Sequence, residues 1–249
     1  MLRPTSTNPA GNECLTCYTK NQALNPLVSY LHTTRYKHLI RLFTELAAQA
    51  PSRTLRVVDI GCAHAKAFQV LNSRFNITYI GIDQDEALSG IARARYSAHP
   101  NFKIITGSIA DHYGEFQNTD VILALETLEH IPENLVVRII EQVALARPAA
   151  FMCSVPNEVG PVILVKNIGS LLTGYMRHKE YTWTETLHAA LFNLDKVETH
   201  GTGHKGFDWR WLAQTIRHNM RISQIHTNPF DWLPKTFSLS IIFICLSKP

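Results

Sequence analysis

Glu126-Thr-Leu-Glu129-His130 places two carboxylates and an imidazole within five residues. On a helical turn, positions i, i+3 and i+4 share a face, so the three side chains can converge. A second histidine, His204, sits in the glycine-flanked run Gly203-His-Lys-Gly-Phe-Asp-Trp-Arg210. Histidine is the usual base near neutral pH, which makes His130 and His204 candidates for taking a proton from an acceptor hydroxyl. A separate set of residues reads as a ligand cradle. Asp59, Gly61, Ala63 and Ala65 alternate through one short stretch, and small residues there let the backbone approach a ligand. Asp83 follows Gly61 by 22 residues, the position where an acidic side chain accepts hydrogen bonds from ribose hydroxyls. Alanine stands at two positions where a pyrophosphate loop carries glycine. That substitution disfavours a phosphate and favours a nucleoside with a carboxylate-bearing tail, which the next helix can meet with free N–H groups.

The elements that must position these residues follow from periodicity. Apolar residues recur at helical spacing from Pro26 to Ala50 (Leu27, Leu31, Leu39, Leu42, Phe43, Leu46). Short apolar strands are then predicted at Leu55–Ile60, Ile77–Asp83, Phe102–Thr106, Asp120–Leu125 and Ala149–Val155. Helices at 66–74, 84–97 and 133–147 separate them. Strands alternating with helices make βαβ units and a parallel sheet covered on both faces. Two further strands, Arg221–His226 and Leu239–Leu246, are separated by Pro229 and Pro234 with no helical stretch, which predicts a closing antiparallel hairpin. The reading is a doubly wound, mostly parallel seven-stranded α/β sheet with an N-terminal helix. Residues 1–22 form a loose leader, 23–249 one domain, and 158–203 an insertion after the fifth strand. In such a sheet, ligands bind beyond the carboxyl ends of the strands, where the cradle and the Glu126–His130 turn both fall.

The 249 residues are 45% apolar and 18% charged, which excludes a disordered chain. A net charge of +4 with a pI near 8.8 is small and spread, and weakly supports a nucleic-acid partner. The five cysteines are odd in number and scattered, which fits a reducing cytoplasm. Cys14-Leu-Thr-Cys17 has the spacing of half a zinc site without a second pair. No window approaches about 18 uninterrupted apolar residues, so no transmembrane segment is predicted.

Val57-Val-Asp-Ile-Gly-Cys-Ala-His-Ala65, Gly81-Ile-Asp83, Thr106-Gly-Ser108 and the run from Asp120 to Pro132 resemble motifs I to IV of class I methyltransferases, in order, over residues 55–157. The resemblance implies a Rossmann-like fold and an S-adenosylmethionine cofactor. Within it, Asp83 binds ribose, Gly107, Ser108 and Ile109 line the adenine, and Asp59, Gly61, Ala63 and Leu125 surround the rest. Ala63 and Ala65 depart from the later glycines of motif I. Ser108 stands where an adenine-binding acid is common. Glu-x-x-Glu-His with a later histidine-tryptophan loop is similar to two branches of the family. One is the small-RNA 3′-end 2′-O-methyltransferases, and the other the ubiquinone-pathway O-methyltransferases. The RNA-end branch implies a divalent ion on Glu126, Glu129, His130 and His204, with His178 as a rival fourth ligand. Two carboxylates and two imidazoles suit Mn, Co or Zn at least as well as Mg.

The activity implied is methylation of a hydroxyl on a small-molecule, glycan or lipid-linked acceptor. An RNA 3′-end and a non-catalytic binding protein are the alternatives. The apolar run from Val162 to Leu172, followed by Tyr175, Tyr181 and Trp183, reads as a packed helix or as a cover for a greasy acceptor. The mix of Tyr175, Arg177, Lys179, Trp183, Lys205, Trp209 and Arg210 can stack on a base or a sugar.

Overall fold

The computed structural model describes residues 26–173, 181–198 and 205–248. The leader, Cys14, Cys17, His178 and His204 lie outside the described residues. Seven strands form one sheet: β1 (Leu55–Ile60), β2 (Ile77–Asp83), β3 (Phe102–Thr106), β4 (Val121–Leu125), β5 (Ala150–Pro156), β6 (Met220–Asn228) and β7 (Ser240–Ser247). Among the described residues seven α-helices accompany them: α1 (Pro26–Gln49), α2 (Lys66–Asn72), α3 (Glu86–Tyr96), α4 (Glu133–Ala146), α5 (Val162–Thr173), α6 (Trp183–Ala190) and α7 (Trp209–Asn219). The order across the sheet is β3-β2-β1-β4-β5-β7-β6. β1 to β5 run parallel, and β7 pairs antiparallel with both β5 and β6. The closing hairpin therefore enters with its second strand inward and leaves β6 at the edge.

The chain reverses its direction of winding between β1 and β4, which opens a crevice at their carboxyl ends. Registers pair Asp59 with Gly81, Asp83 with Thr106 and Leu125 with Ser154, so the carboxyl ends of the five parallel strands reach one edge together. Alternating side chains supply two cores, as period-two strands covered on both faces require. Ile60, Ile82 and Ile122 face α4 and α7 through Ile139, Ile140, Leu212 and Ile216. Val57, Tyr79 and Leu123 face α1 and α2 through Leu39, Phe43 and Phe68. Phe68 anchors this second side, with ring centroids 5.3 Å from Tyr79 and 4.7 Å from Phe102.

The segment after β5 builds a small core of its own from Val162, Ile163, Tyr181, Ala189 and Val197. Leu164 and Val165 of α5 remain exposed, so one face of the apolar run is packed and the other is not. Helix α7 is not anticipated by the periodicity, because the glycines before it suggest a loop through Arg210. Asp208 starts it, accepting the Arg210 N–H at 2.8 Å, and Leu212, Ala213 and Ile216 turn inward at helical spacing. No helix among the described residues is long and apolar enough to cross a membrane.

Candidate active site at the carboxyl edge

The loop after β1 is a compact left-handed turn. Gly61, Ala63 and Ala65 all have positive φ, at 65°, 48° and 56°. The two alanines thus hold the backbone conformation that glycine adopts without strain, at a cost of about 1–2 kcal/mol each. Gly61 is required by a protein neighbour: a Cβ there would lie 2.2 Å from Cγ2 of Thr127. Thr127 Oγ1 in turn donates to the Ile60 carbonyl at 3.1 Å, tying the end of β4 to the end of β1. Ala65 precedes α2 without a side-chain cap, so that helix start receives no acceptor from its own side chains.

Asp83 closes the turn from β2. Its Oδ2 accepts the Ala63 N–H at 2.7 Å and its Oδ1 accepts the Asp85 N–H at 2.9 Å. A carboxylate offers about four acceptor sites, so two remain for a ribose diol. Asp59 is placed differently from Asp83. It is 3% exposed, points into the core and accepts a hydrogen bond from the Tyr79 hydroxyl. Burial pushes its carboxyl up to about 7, against the Tyr79 hydrogen bond, with the Asp83 charge adding to the rise. Burial also raises the Cys62 thiol and lowers His64, whose neutral form is further favoured by Arg95 and Lys66.

After β3, Gly107 lies under the ring of His112, whose Nε2 would be 2.9 Å from a Cβ at that position. Ser108 accepts from the Ala110 N–H and starts a short 3₁₀ turn in which Ile109 is buried. Leu125 ends β4, half-buried at the same edge. His112 is absent from the sequence reading because nothing in its spacing marks it.

The Glu126–His130 stretch is not an α-helical turn. Glu126 takes a left-handed φ of 53°, and Leu128–His130 forms a single 3₁₀ turn. Strained φ at a non-glycine residue clusters at functional sites. The Glu126 amide donates to the Ser154 carbonyl at 2.9 Å, and its Oε1 accepts from Ser154 Oγ at 3.0 Å. Arg35, from α1, lies 3.4 Å from the same oxygen. The Glu129 side chain is fully buried, and its Oε1 is 4.0 Å from Nε2 of His130, which is 42% exposed. Glu126 is thus turned toward Arg35 and Ser154, and the convergence expected of an α-helical turn is not reached. Among the described residues, the trio whose ligand atoms lie within 4.8 Å of one another is instead His38, His226 and Asp231. The described residues of the turn do not form an ion cage.

An open groove of about 570 Å³ lies beside β6. Phe192, Trp209, Arg210, Asp231 and Lys235 are among its walls. The Arg210 guanidinium is 5.4 Å from the Phe192 ring centre and is held by Asp208. The Trp209 indole N–H is buried without an acceptor.

A methyltransferase domain family matches residues 57–146. The small RNA 2′-O-methyltransferase of Drosophila melanogaster is 26% identical over 165 residues, covering 61% of this chain and 41% of that protein. The chain thus spans about two fifths of that relative's length. The methyltransferase domain of bacterial CtHen1-CN superposes with a TM-score of 0.59 at 14% identity, over 87% of this chain and 99% of that one. Magnesium protoporphyrin IX methyltransferase of Synechocystis PCC 6803, solved with bound S-adenosylhomocysteine, gives 0.58 at 14%, over 90% and 88%. The strand order and the superpositions give the fold of class I methyltransferases, and within it residues 57–146 match a methyltransferase domain family.

Proposed function

We propose that this chain transfers the methyl group of S-adenosylmethionine to a hydroxyl oxygen at the carboxyl edge of β1 and β4. The observation that carries the reading is Asp83, whose carboxylate is fixed by two backbone N–H groups with acceptor sites left over. Asp83 takes the ribose hydroxyls, Gly107, Ser108 and Ile109 flank the adenine with His112, and Gly61, Ala63 and Leu125 surround the methionine part. Asp59, two residues before Gly61 on β1, is the remaining member of the cofactor set. The cofactor supplies an already activated, positively charged methyl donor. The protein must therefore align the acceptor and remove its proton.

His130 is the base in this reading. Its ring is partly exposed at the edge, and the buried Glu129 carboxylate behind it stabilises the imidazolium that forms. His204 is a second candidate. A divalent ion on Glu126, Glu129, His130 and His204 is the alternative to a histidine base, and it would orient the acceptor hydroxyl and lower its pKa.

The acceptor is a hydroxyl of a small molecule, glycan or lipid-linked compound. A second reading, a ribose 2′-hydroxyl of RNA, is favoured by two observations. The relative with 26% identity is named for that reaction. The groove of Trp209, Phe192, Arg210 and Lys235 is of the aromatic, basic kind that stacks bases.

Labelled methyl transfer separates the readings. The full chain is incubated with labelled S-adenosylmethionine and short RNAs ending in a 2′-hydroxyl or a 2′-deoxy ribose, beside a metabolite extract. Label on the hydroxyl-ended RNA alone selects the RNA reading, and label on extract compounds selects the first. No transfer to either, with the cofactor bound, overturns the catalytic proposal.

A further inference from the structure

Three elements bring His38 of α1, His226 of β6 and Asp231 of the β6–β7 connection to one point. Nδ1 of His226 lies 3.1 Å from Asp231 Oδ1, and Nε2 of His38 lies 3.7 Å from the same oxygen. Ligands about 2.0–2.2 Å from a tetrahedral ion are about 3.3 Å apart, and these separations bracket that value. Both imidazoles are nearly buried, at 11% and 12% side-chain exposure, while Asp231 is 49% exposed, so solvent has access from one side.

The hydrogen-bond balance points the same way. The Gln224 side-chain carbonyl oxygen lies 2.9 Å from Nε2 of His226 and, in this orientation, accepts a hydrogen bond from it. In the neutral ring that leaves Nδ1 as a lone pair facing a carboxylate oxygen at 3.1 Å, acceptor against acceptor. A metal ion between the two atoms satisfies both, as does turning the Gln224 amide so that Nδ1–H donates to Asp231. A ligating histidine whose other N–H is held by an acceptor is the usual arrangement around protein-bound metals. The nearby Arg41 is offset by Glu45 at 3.4 Å.

We infer that His38, His226 and Asp231 bind one zinc-type divalent cation that clamps α1 to the outer edge of the sheet. Two imidazoles and one carboxylate suit Zn²⁺ or Co²⁺ over the harder Mg²⁺ and leave a fourth position for water. The site is separate from the Glu126–His130 turn. Arg35 lies one turn before His38 on α1, so the clamp also holds the helix that presents Arg35 to Glu126. The two rings are stacked at 4.0 Å with planes 25° apart. Each lone pair lies in its own ring plane, so ion entry must splay the rings.

The test uses the full chain, stripped with a chelator and titrated with Zn²⁺ or Co²⁺ alone. One ion per chain is expected, with the strong visible bands of four-coordinate Co²⁺ and a rise in thermal midpoint. Asp231→Asn, at a half-exposed side chain that does not threaten folding, should abolish the bands. Gln224→Ala should weaken binding about 10–100-fold. The double variant Glu129→Gln/His130→Ala should keep both ion and bands. No bound ion, or binding that survives Asp231→Asn, overturns the proposal and leaves a plain His226–Asp231 hydrogen bond. Binding lost in the Glu129/His130 variant and kept in Asp231→Asn would move the ion to the other site and overturn it equally.

Discussion

Replacing Asp83 by alanine tests the division of labour at the cofactor edge, because the structure fixes what is lost. The side chain holds the Ala63 N–H at 2.7 Å and the Asp85 N–H at 2.9 Å, and presents its remaining acceptor sites outward. Hydrogen bonds to a charged group contribute about 1.5–3 kcal/mol each. Water resolvates a partly exposed ribose site, so the two bonds to the diol are expected to lose about 1–3 kcal/mol together. That is roughly a 5- to 150-fold weaker affinity for S-adenosylhomocysteine. The two backbone N–H groups add a stability cost of about 1–2 kcal/mol, visible as a lower thermal midpoint and separable from the binding loss. Asp83→Asn keeps one acceptor oxygen and should fall between wild type and alanine. Calorimetric titration of S-adenosylhomocysteine into both variants, with circular dichroism as the fold control, reads both effects. An affinity within about two-fold of wild type, in a folded Asp83→Ala protein, would remove this residue from the site and refute the reasoning.

Three further outcomes follow. Ala63→Gly relieves a left-handed alanine and should raise stability by up to about 1 kcal/mol, while Ala65→Gly should not, because its fully buried methyl is also lost; denaturant midpoints compare them. Asp59 binds its proton more tightly folded than unfolded, so stability is fully present below about pH 4 and falls as pH rises toward 7. On the order of 4 kcal/mol is lost across that window, and Asp59→Asn should flatten it in pH-dependent chemical unfolding. Glu158 is 1% exposed and lies 3.0 Å from Lys166 Nζ and 3.2 Å from the Tyr181 hydroxyl. Glu158→Gln leaves the Lys166 charge in place and should cost about 3 kcal/mol in urea unfolding; no loss would make this network incidental.

Much of this architecture is legible from spacing alone. The five parallel strands, α1 and the closing hairpin follow from apolar periodicity, because a sheet covered on both faces needs continuous apolar runs. Asp83 is legible because its distance from Gly61 is set by one βαβ unit. What escapes is long-range. Arg35 meets Glu126, and His38 meets His226, across more than ninety residues of chain, and no local pattern encodes such pairs. Thr127, sixty-six residues away in the chain, excludes a side chain at Gly61. The Glu126 turn misleads for a local reason: i, i+3 and i+4 share a face only on an α-helix, and a left-handed Glu126 followed by a 3₁₀ turn breaks that geometry. Helix α7 is hidden behind the glycines that precede it, although Asp208 and the Leu212, Ala213, Ile216 spacing mark it once its start is known.

The central claim is that S-adenosylmethionine is bound over the ends of β1, β2 and β3 and presents its methyl to the edge of β4. A crystal structure of the chain with S-adenosylhomocysteine tests it most directly. The account predicts both ribose hydroxyls within about 2.6–3.2 Å of the Asp83 carboxylate, with the adenine against Gly107–Ile109 and the sulfur facing the Glu126–His130 turn. A nucleoside seated elsewhere, for instance in the groove between Trp209 and Lys235 with Asp83 untouched, would contradict it.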